Sequence, residues 1–203
     1  MIIEKVIAPP YATNAYLIGC EKSLKAIVID PGFQTKEKLL NLIEKHQLTV
    51  EGIYLTHSHF DHIADAAKLK NEKGWPIYVH KEDAGNVLHP GSDGIPFNFD
   101  IEGADVDSYL EDGDEKFIGE LRFLVLHTPG HSPGGVCFYF PNELVLFSGD
   151  TLFKGTYGRT DLPRSDANKM KASLEKLKKF PDELLVYPGH ASITKLGRER
   201  TWL

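Results

Sequence analysis

The chain has 203 residues, of which 41% are hydrophobic and 26% charged, a composition typical of a soluble globular protein. Its formal net charge of −6 provides no concentrated basic face, so we expect no nucleic-acid partner. The sequence contains neither a signal peptide nor a run of about eighteen apolar residues, so we expect no membrane span and a cytoplasmic location.

Short apolar runs in the first part of the chain predict strands at residues 2–8, 14–19, 25–30 and 50–55. A helix is predicted after the turn at 30–32, with Thr35 as its cap. Its apolar spacing places one set of residues on a common face: Leu39, Leu42, Ile43 and His46.

The middle of the chain predicts a helix at 63–73, a strand at 76–80 and a short helix at 82–88. Residues 89–105 are rich in Gly, Pro, Asn and Asp, which predicts a long surface loop of the kind that forms lids or rims.

The last part of the chain is predicted to contain a turn at 111–114, four strands and one helix. The strands are expected at 121–127, 134–140, 143–150 and 183–190. The helix at 166–179 is expected to bury Met170, Leu174 and Leu177. Strands interleaved with helices along the whole chain indicate one α/β domain covering 1–203.

Three histidines and an aspartate follow the strand at 50–55 within six residues: His57, His59, Asp61 and His62. Only 9 of the 203 residues are histidines, so this cluster departs strongly from chance. Imidazole and carboxylate groups are the usual ligands of zinc and similar divalent metals. Residues two apart in an extended segment project to the same side, so His57 and His59 are placed to bind one ion together.

Three later strands are followed by residues of the same types: His131, Asp150 and His190. Loops at strand ends are where α/β folds gather their functional sites. A buried carboxylate such as that of Asp150 is costly without a cation to balance it. The sequence therefore predicts that these residues and the histidine cluster share one metal site.

The remaining histidines and the two cysteines are predicted to lie outside this site. We interpret the cysteines, which are far apart in the sequence, as reduced thiols. Asp30 has two possible roles, as an acceptor for the second N–H of a ligating histidine or as a turn residue only. Structural or surface roles are expected for His46, His80, His89 and His127.

The motifs THSHFDH, TPGH, SGDTLF and YPGH, in this order, resemble those of the metallo-β-lactamase superfamily over nearly the whole chain. Segments 149–163 and 189–200 are similar to short glyoxalase II-like hydrolases, also called hydroxyacylglutathione hydrolases. The GRTDLP segment is similar to persulfide dioxygenases as well. The resemblance implies a four-layer αββα sandwich with metals at one edge of its two sheets. We expect the C-terminal helical extension of full-length glyoxalase II enzymes to be absent.

The same resemblance implies a binuclear site with Asp150 bridging two divalent ions. Zinc is favoured, and iron and manganese are alternatives for such N/O ligands. Asp61 is also expected to orient the nucleophile, and Arg159 is a candidate for binding a substrate carboxylate or for a structural salt bridge. The ligands implied for the first ion are His57, His59 and His131, and those for the second are Asp61, His62 and His190.

These residues indicate a hydrolase in which metal-bound hydroxide attacks an acyl carbonyl. A thiolate leaves without protonation, whereas an amide nitrogen needs a general acid, and no motif supplies one. A thioester is therefore the predicted small-molecule substrate, S-D-lactoylglutathione or a related hydroxyacyl thioester. The alternatives are a mononuclear iron persulfide dioxygenase and another metallo-hydrolase such as a lactonase. The β-lactamase branch typically has cysteine where this chain has Asp150, which disfavours antibiotic hydrolysis.

Overall fold

The computed structural model describes residues 1–203 and contains two six-stranded β-sheets. In the first sheet the strands follow chain order, β1 to β6. The first three strands are antiparallel, and β3 to β6 are parallel. The bounds are β1 Ile2–Ala8, β2 Thr13–Gly19, β3 Lys25–Ile29, β4 Thr49–Tyr54, β5 Ile77–His80 and β6 Ser108–Leu110.

The second sheet has the order β12-β11-β10-β9-β8-β7. Its pairs are antiparallel except β10 and β11, which run parallel. Strands β8, β10 and β11 therefore end at the same edge of the sheet. The bounds are β7 Glu115–Ile118, β8 Leu121–His127, β9 Val136–Phe140, β10 Val145–Gly149, β11 Leu185–Pro188 and β12 Thr194–Lys195.

Six helices connect or flank the strands, and none combines the length and apolar character needed to cross a bilayer. The longest is α5, which buries the predicted Met170, Leu174 and Leu177. The helices are α1 Lys36–Lys45, α2 Phe60–Ile63, α3 Ala66–Lys73, α4 Lys81–Leu88, α5 Ala167–Leu177 and α6 Leu196–Glu199.

Alternation along buried strands produces the layers. In β2 every residue is buried; Ala15 and Leu17 pack against the residues of α1 and α3, while Tyr16 and Ile18 face the second sheet. In the second sheet Phe147 faces the first sheet, and its neighbours point to the opposite side, where α5 lies. Because successive strand side chains point to opposite faces, both sheets are covered on both sides. This arrangement is the predicted four-layer αββα sandwich, which is confirmed.

Several predicted elements differ in detail from the structure. The helix predicted at 63–73 begins at Phe60 and is interrupted between α2 and α3. Thr35 stands at the start of α1, but its hydroxyl donates to the Gly32 carbonyl instead of capping the helix. The carboxylate of Asp65 accepts the N–H groups of Thr35 and Lys36, because α3 packs beside that helix start. The short elements β6, β7, β12 and α6 have no counterpart among the predicted elements.

Candidate metal centre

The seven predicted metal-ligand residues meet at one edge of the two sheets. One follows β4 directly, and the helix turn after it carries three more. The others follow strands β8, β10 and β11, whose ends share this edge. The first sheet is tied to the second here, because the Asn14 N–H donates to the Gly189 carbonyl (2.6 Å). The seven residues are His57, His59, Asp61, His62, His131, Asp150 and His190.

Six of these side chains form two groups, each able to hold one metal ion. The ligand atoms of His57, His59 and His131 lie within 4.8 Å of one another, and so do those of the second group. That second group consists of Asp61, His62 and His190. These are the two triads that the family resemblance implied.

The Asp150 carboxylate lies between the two groups. Its Oδ2 is 3.3 Å from Nε2 of His131 in the first group and 3.5 Å from Nε2 of His190 in the second. Its Oδ1 is 3.4 Å from Nε2 of His62. An added Cβ at Gly189 would lie 2.3 Å from Asp150 Oδ1, so only glycine allows this approach. A carboxylate in this position can bridge two cations.

Three buried polar atoms in the site have no hydrogen-bond partner: His57 Nε2, His131 Nε2 and Asp150 Oδ1. Buried polar groups are nearly always hydrogen-bonded, so unpaired ones need an explanation. Lone pairs of imidazole nitrogen and carboxylate oxygen pointing into one space form the donor set for a divalent metal. The residues present therefore fit a metal centre.

Hydrogen bonds to Nδ1 fix the orientation of most of the imidazoles. The Nδ1–H of His131 donates to the Arg159 carbonyl (2.8 Å), and that of His190 donates to the Tyr11 carbonyl (3.2 Å). A carbonyl only accepts, so Nδ1 holds the proton and Nε2 keeps its lone pair for the centre. The chain thereby sets the ring tautomer that a metal needs.

Asp30 contacts His62 on the side of the ring that faces away from the ligand groups, so it is more than a turn residue. Its Oδ2 lies 2.9 Å from Nδ1 of His62, and the Thr56 N–H donates to its Oδ1 (2.7 Å). The Thr56 hydroxyl donates to Asp30 Oδ2 (2.6 Å) and lies 3.0 Å from His57 Nδ1. Of the two roles that the sequence left open, the structure shows the first: Asp30 is the hydrogen-bond partner of His62, a predicted metal ligand.

The electrostatics of the site favour neutral imidazoles in the first group. Burial, together with the neighbouring histidines, holds the pKa of His57 well below its usual range. Burial and His131 lower the pKa of His59 to about 3. At neutral pH both rings are therefore uncharged and have a lone pair for a metal.

The second group has the opposite balance. Burial opposes protonation of His62, but Asp61, Asp150 and Asp30 outweigh it and raise its pKa well above the usual value. Burial likewise opposes ionisation of Asp150, yet the neighbouring histidines hold its pKa at about 2. The carboxylates are thus charged at neutral pH and attract a cation.

Asp83 is a site-supporting residue that the sequence analysis missed. Its carboxylate is buried and accepts the N–H of Ser58 (3.0 Å) and the N–H of Gly134 (2.7 Å). Ser58 lies between two ligands of the first group, and Gly134 follows the third. Asp83 therefore joins the two loops that carry this group. It belongs to α4 and to no motif, so only the tertiary structure brings it here.

The structure places Arg159 beside the site but directs its side chain outward. The exposed guanidinium forms a forked pair with Asp161, at 2.9 and 3.0 Å, while its carbonyl orients His131. Its role towards substrate stays a prediction. None of the other histidines belongs to a metal group: His46 contacts Glu4, His89 is exposed, and the rings of His80 and His127 stack.

Comparisons with known proteins agree with this geometry. The metallo-beta-lactamase superfamily pattern matches residues 8–190. The hydroxyacylglutathione hydrolase GloC of Haemophilus influenzae is 32% identical over 98% of this chain and 95% of its own length. TTHA1623, whose crystal structure is in a di-iron-bound form, has 40% sequence identity to this chain. The two structures match with a TM-score of 0.82, over 97% of this chain and 96% of TTHA1623. The BLEG-1 B3 metallo-beta-lactamase is 36% identical with a TM-score of 0.88, covering 98% and 97%.

Proposed function

Because this chain belongs to the metallo-beta-lactamase superfamily, we propose that it is a binuclear metal-dependent hydrolase that cleaves thioesters. S-D-lactoylglutathione and related hydroxyacyl thioesters are the first candidates. The observation that carries the proposal is the Asp150 carboxylate, which lies within 3.5 Å of imidazoles from both ligand groups. The similarity to GloC, a hydroxyacylglutathione hydrolase, supports the substrate class.

Two divalent ions fit the two groups of donors. His57, His59 and His131 would hold the first ion, with Asp150 shared between the ions. Asp61, His62 and His190 would hold the second. The di-iron form of TTHA1623, which is 40% identical, supports a pair of ions and makes iron a candidate beside zinc.

When bound, the ions would lower the pKa of a shared water towards neutrality and stabilise negative charge on a carbonyl oxygen. The chain's own residues position this chemistry. The Thr13 hydroxyl donates to Asp61 Oδ2 (2.6 Å), which fixes that carboxylate beside His190 Nε2 at 3.3 Å. We assign to Asp61 the role of orienting the nucleophilic water, because Thr13 occupies Oδ2 and the hydrogen bond leaves Oδ1 as an acceptor for that water.

The leaving group favours a thioester. In the hydrolysis, water oxygen bonds to the acyl carbon, the C–S bond breaks and the sulfur leaves with the bonding electron pair. The thiolate needs no proton to depart, and both protons of the water pass to solvent as the carboxylate product forms. The carboxylates of the site, Asp61 and Asp150, are held ionised. His62 and His190 would hold metal through Nε2, so none of these groups would have a proton to donate to an amide nitrogen.

β-Lactam hydrolysis is the second candidate function. It is favoured by the 36% identity to BLEG-1, a B3 metallo-beta-lactamase, over nearly the full length of both chains. Asp150 argues against this activity, because the β-lactamase branch typically has cysteine at that position. The two functions differ in the bond cleaved, C–S or C–N, and therefore in the need for a proton donor to the leaving group.

The test is hydrolysis by the protein loaded with zinc or with iron. We expect thiol release from S-D-lactoylglutathione. The kcat/KM for a chromogenic cephalosporin and for a lactone should each be at least about 100-fold lower than the kcat/KM for this thioester. Asp150→Ala should abolish thiol release, and Asp105→Ala, at an exposed loop position, should not change it. Faster cephalosporin hydrolysis would establish the second candidate instead. Oxygen uptake with glutathione persulfide by protein holding one iron would establish a dioxygenase.

A further inference from the structure

Five aromatic side chains from four separate segments meet beside the metal centre. We call them the aromatic cluster: Tyr11, Phe33, Phe60, Phe97 and Phe99. Their ring centroids are 4.6 Å apart for Phe33 and Phe99, 5.0 Å for Phe60 and Phe97, and 5.1 Å for Tyr11 and Phe60. These separations are those of directly packed rings.

The aromatic cluster is continuous with the second ligand group. Phe60 lies in the chain between His59 and Asp61, at the start of α2. Tyr11 belongs to the loop between β1 and β2, and its carbonyl accepts the hydrogen bond from His190 Nδ1. A molecule held on these rings would thus lie next to the metal ligands.

The rings belong to none of the three hydrophobic cores and are partly open to solvent. Tyr11 is 46% exposed and Phe99 40% exposed, while the other three are half-buried. Contiguous exposed aromatic surface is unusual on a soluble protein and marks binding sites. Core packing does not account for its position.

The loop at 89–105, which supplies two of the rings, is anchored just before them at residues 91–93. The Asn86 Oδ1 accepts the N–H groups of Gly91 (2.9 Å) and Asp93 (3.1 Å), and the Asn86 amide donates to the Asp93 carboxylate (3.0 Å). This anchor and the packing of Phe97 and Phe99 on other rings reduce the entropic cost of ordering the loop when an apolar group binds.

We propose that the aromatic cluster binds an apolar group of the thioester, an aromatic or branched aliphatic group on its acyl or its thiol side. This inference rests on the proposed function and narrows its substrate class. None of the five side chains is charged, so the surface does not match the two carboxylates of glutathione. The nearby cation Arg159 is paired with Asp161.

Matched thioesters test the proposal. For the acyl side, the S-phenylacetyl and S-acetyl thioesters of N-acetylcysteamine are compared. For the thiol side, S-benzyl thioacetate is compared with S-acetyl-N-acetylcysteamine. After correction for the rate with free hydroxide, we expect the apolar member of at least one pair to have a kcat/KM higher by about tenfold or more.

Two exposed phenylalanines make a matched pair of variants. Phe99→Ala should reduce this preference at least about fivefold, because it removes a ring of the cluster. Phe117→Ala, at a 57% exposed ring on β7, should leave both rates and their ratio unchanged. If Phe99→Ala does not fold by circular dichroism, Tyr11→Ala serves in its place.

A binding measurement separates this inference from the proposed function. Titration calorimetry should detect phenylacetate binding but weaker acetate binding, and Phe99→Ala should weaken only the former. Equal kcat/KM values within both pairs would overturn the inference and leave the thioesterase intact. If no thioester is hydrolysed, the proposed function fails. In that case, phenylacetate binding by the wild type that is lost in Phe99→Ala would still support an apolar ligand site at the aromatic cluster. If the wild type does not bind phenylacetate, that site is ruled out as well.

Discussion

Asp30 Oδ2 lies 2.9 Å from Nδ1 of His62, and both side chains are almost completely buried. The contact is made across 32 residues of sequence and connects the turn after β3 to the helix turn α2, where the histidine motif ends. A carboxylate behind a ligand imidazole fixes the ring and increases its basicity towards a metal.

Asp30→Ala is therefore expected to reduce metal affinity at the second group by about 10- to 100-fold. Asp65→Ala is a matched control, since it removes another buried carboxylate that accepts two backbone N–H groups at α1. The control should lower the free energy of unfolding by about 1 kcal/mol and leave metal affinity unchanged. Competition with a chromophoric chelator measures both affinities. Equal affinities in wild type and Asp30→Ala would rule out this role.

Asp150→Ala should lose metal as well as turnover. Without the carboxylate between them, two cations would repel each other with no protein anion to compensate, so metal content should fall from two ions towards one or fewer. The melting temperature without metal should change little, because the residue follows β10 at the sheet edge and contributes no apolar core. Elemental analysis after dialysis measures the content. A variant that keeps full metal content and wild-type thiol release shows that Asp150 does not bridge.

Asp83→Ala should weaken the first group selectively, because it breaks the link between Ser58 and Gly134. We expect the affinity for the first ion to fall by about 10-fold or more, with the second retained. Asp83→Asn keeps one acceptor oxygen, so its affinity for the first ion should lie between those of the wild type and Asp83→Ala. The measurement is a chelator titration that resolves the two ions. If all three proteins release both ions alike, the loops are positioned by other contacts.

The buried thiol of Cys137 links stability to pH. Burial raises its pKa from 9.0 to about 11, so the folded state holds the proton more tightly than the unfolded state. The free energy of unfolding should consequently fall as the pH rises from 9 to 11, by about 2 to 3 kcal/mol in total. Urea unfolding of wild type and Cys137→Ala over this range isolates the contribution. If the free energies of unfolding of the two proteins changed in parallel with pH, Cys137 would not be the source of the dependence.

The residues of the candidate metal centre could be recognised from the sequence because each lies in a short motif after a strand. His57 and His59 are two residues apart in one motif, and the strand ends before His131, Asp150 and His190 can be recognised from apolar runs. The same runs predict one α/β domain, and the family resemblance of the motifs implies its four αββα layers.

Asp83, which supports the site, could not be predicted in this way. It is an ordinary acidic residue of a helical segment, and its partners Ser58 and Gly134 lie 25 and 51 residues away in the chain. The aromatic cluster likewise joins four segments without a shared motif. Short elements such as β12 and α6 have too few residues for a periodic pattern, so tertiary contacts determine them.

The central claim is that two metal ions act together in one site around Asp150. The most direct measurement is thiol release from a thioester as metal-free protein is titrated with zinc or iron, with bound metal counted in parallel by native mass spectrometry. We expect turnover to rise to its maximum at two ions per chain and to be small at one. Full turnover at one ion per chain, or saturation of binding at one, would contradict the account.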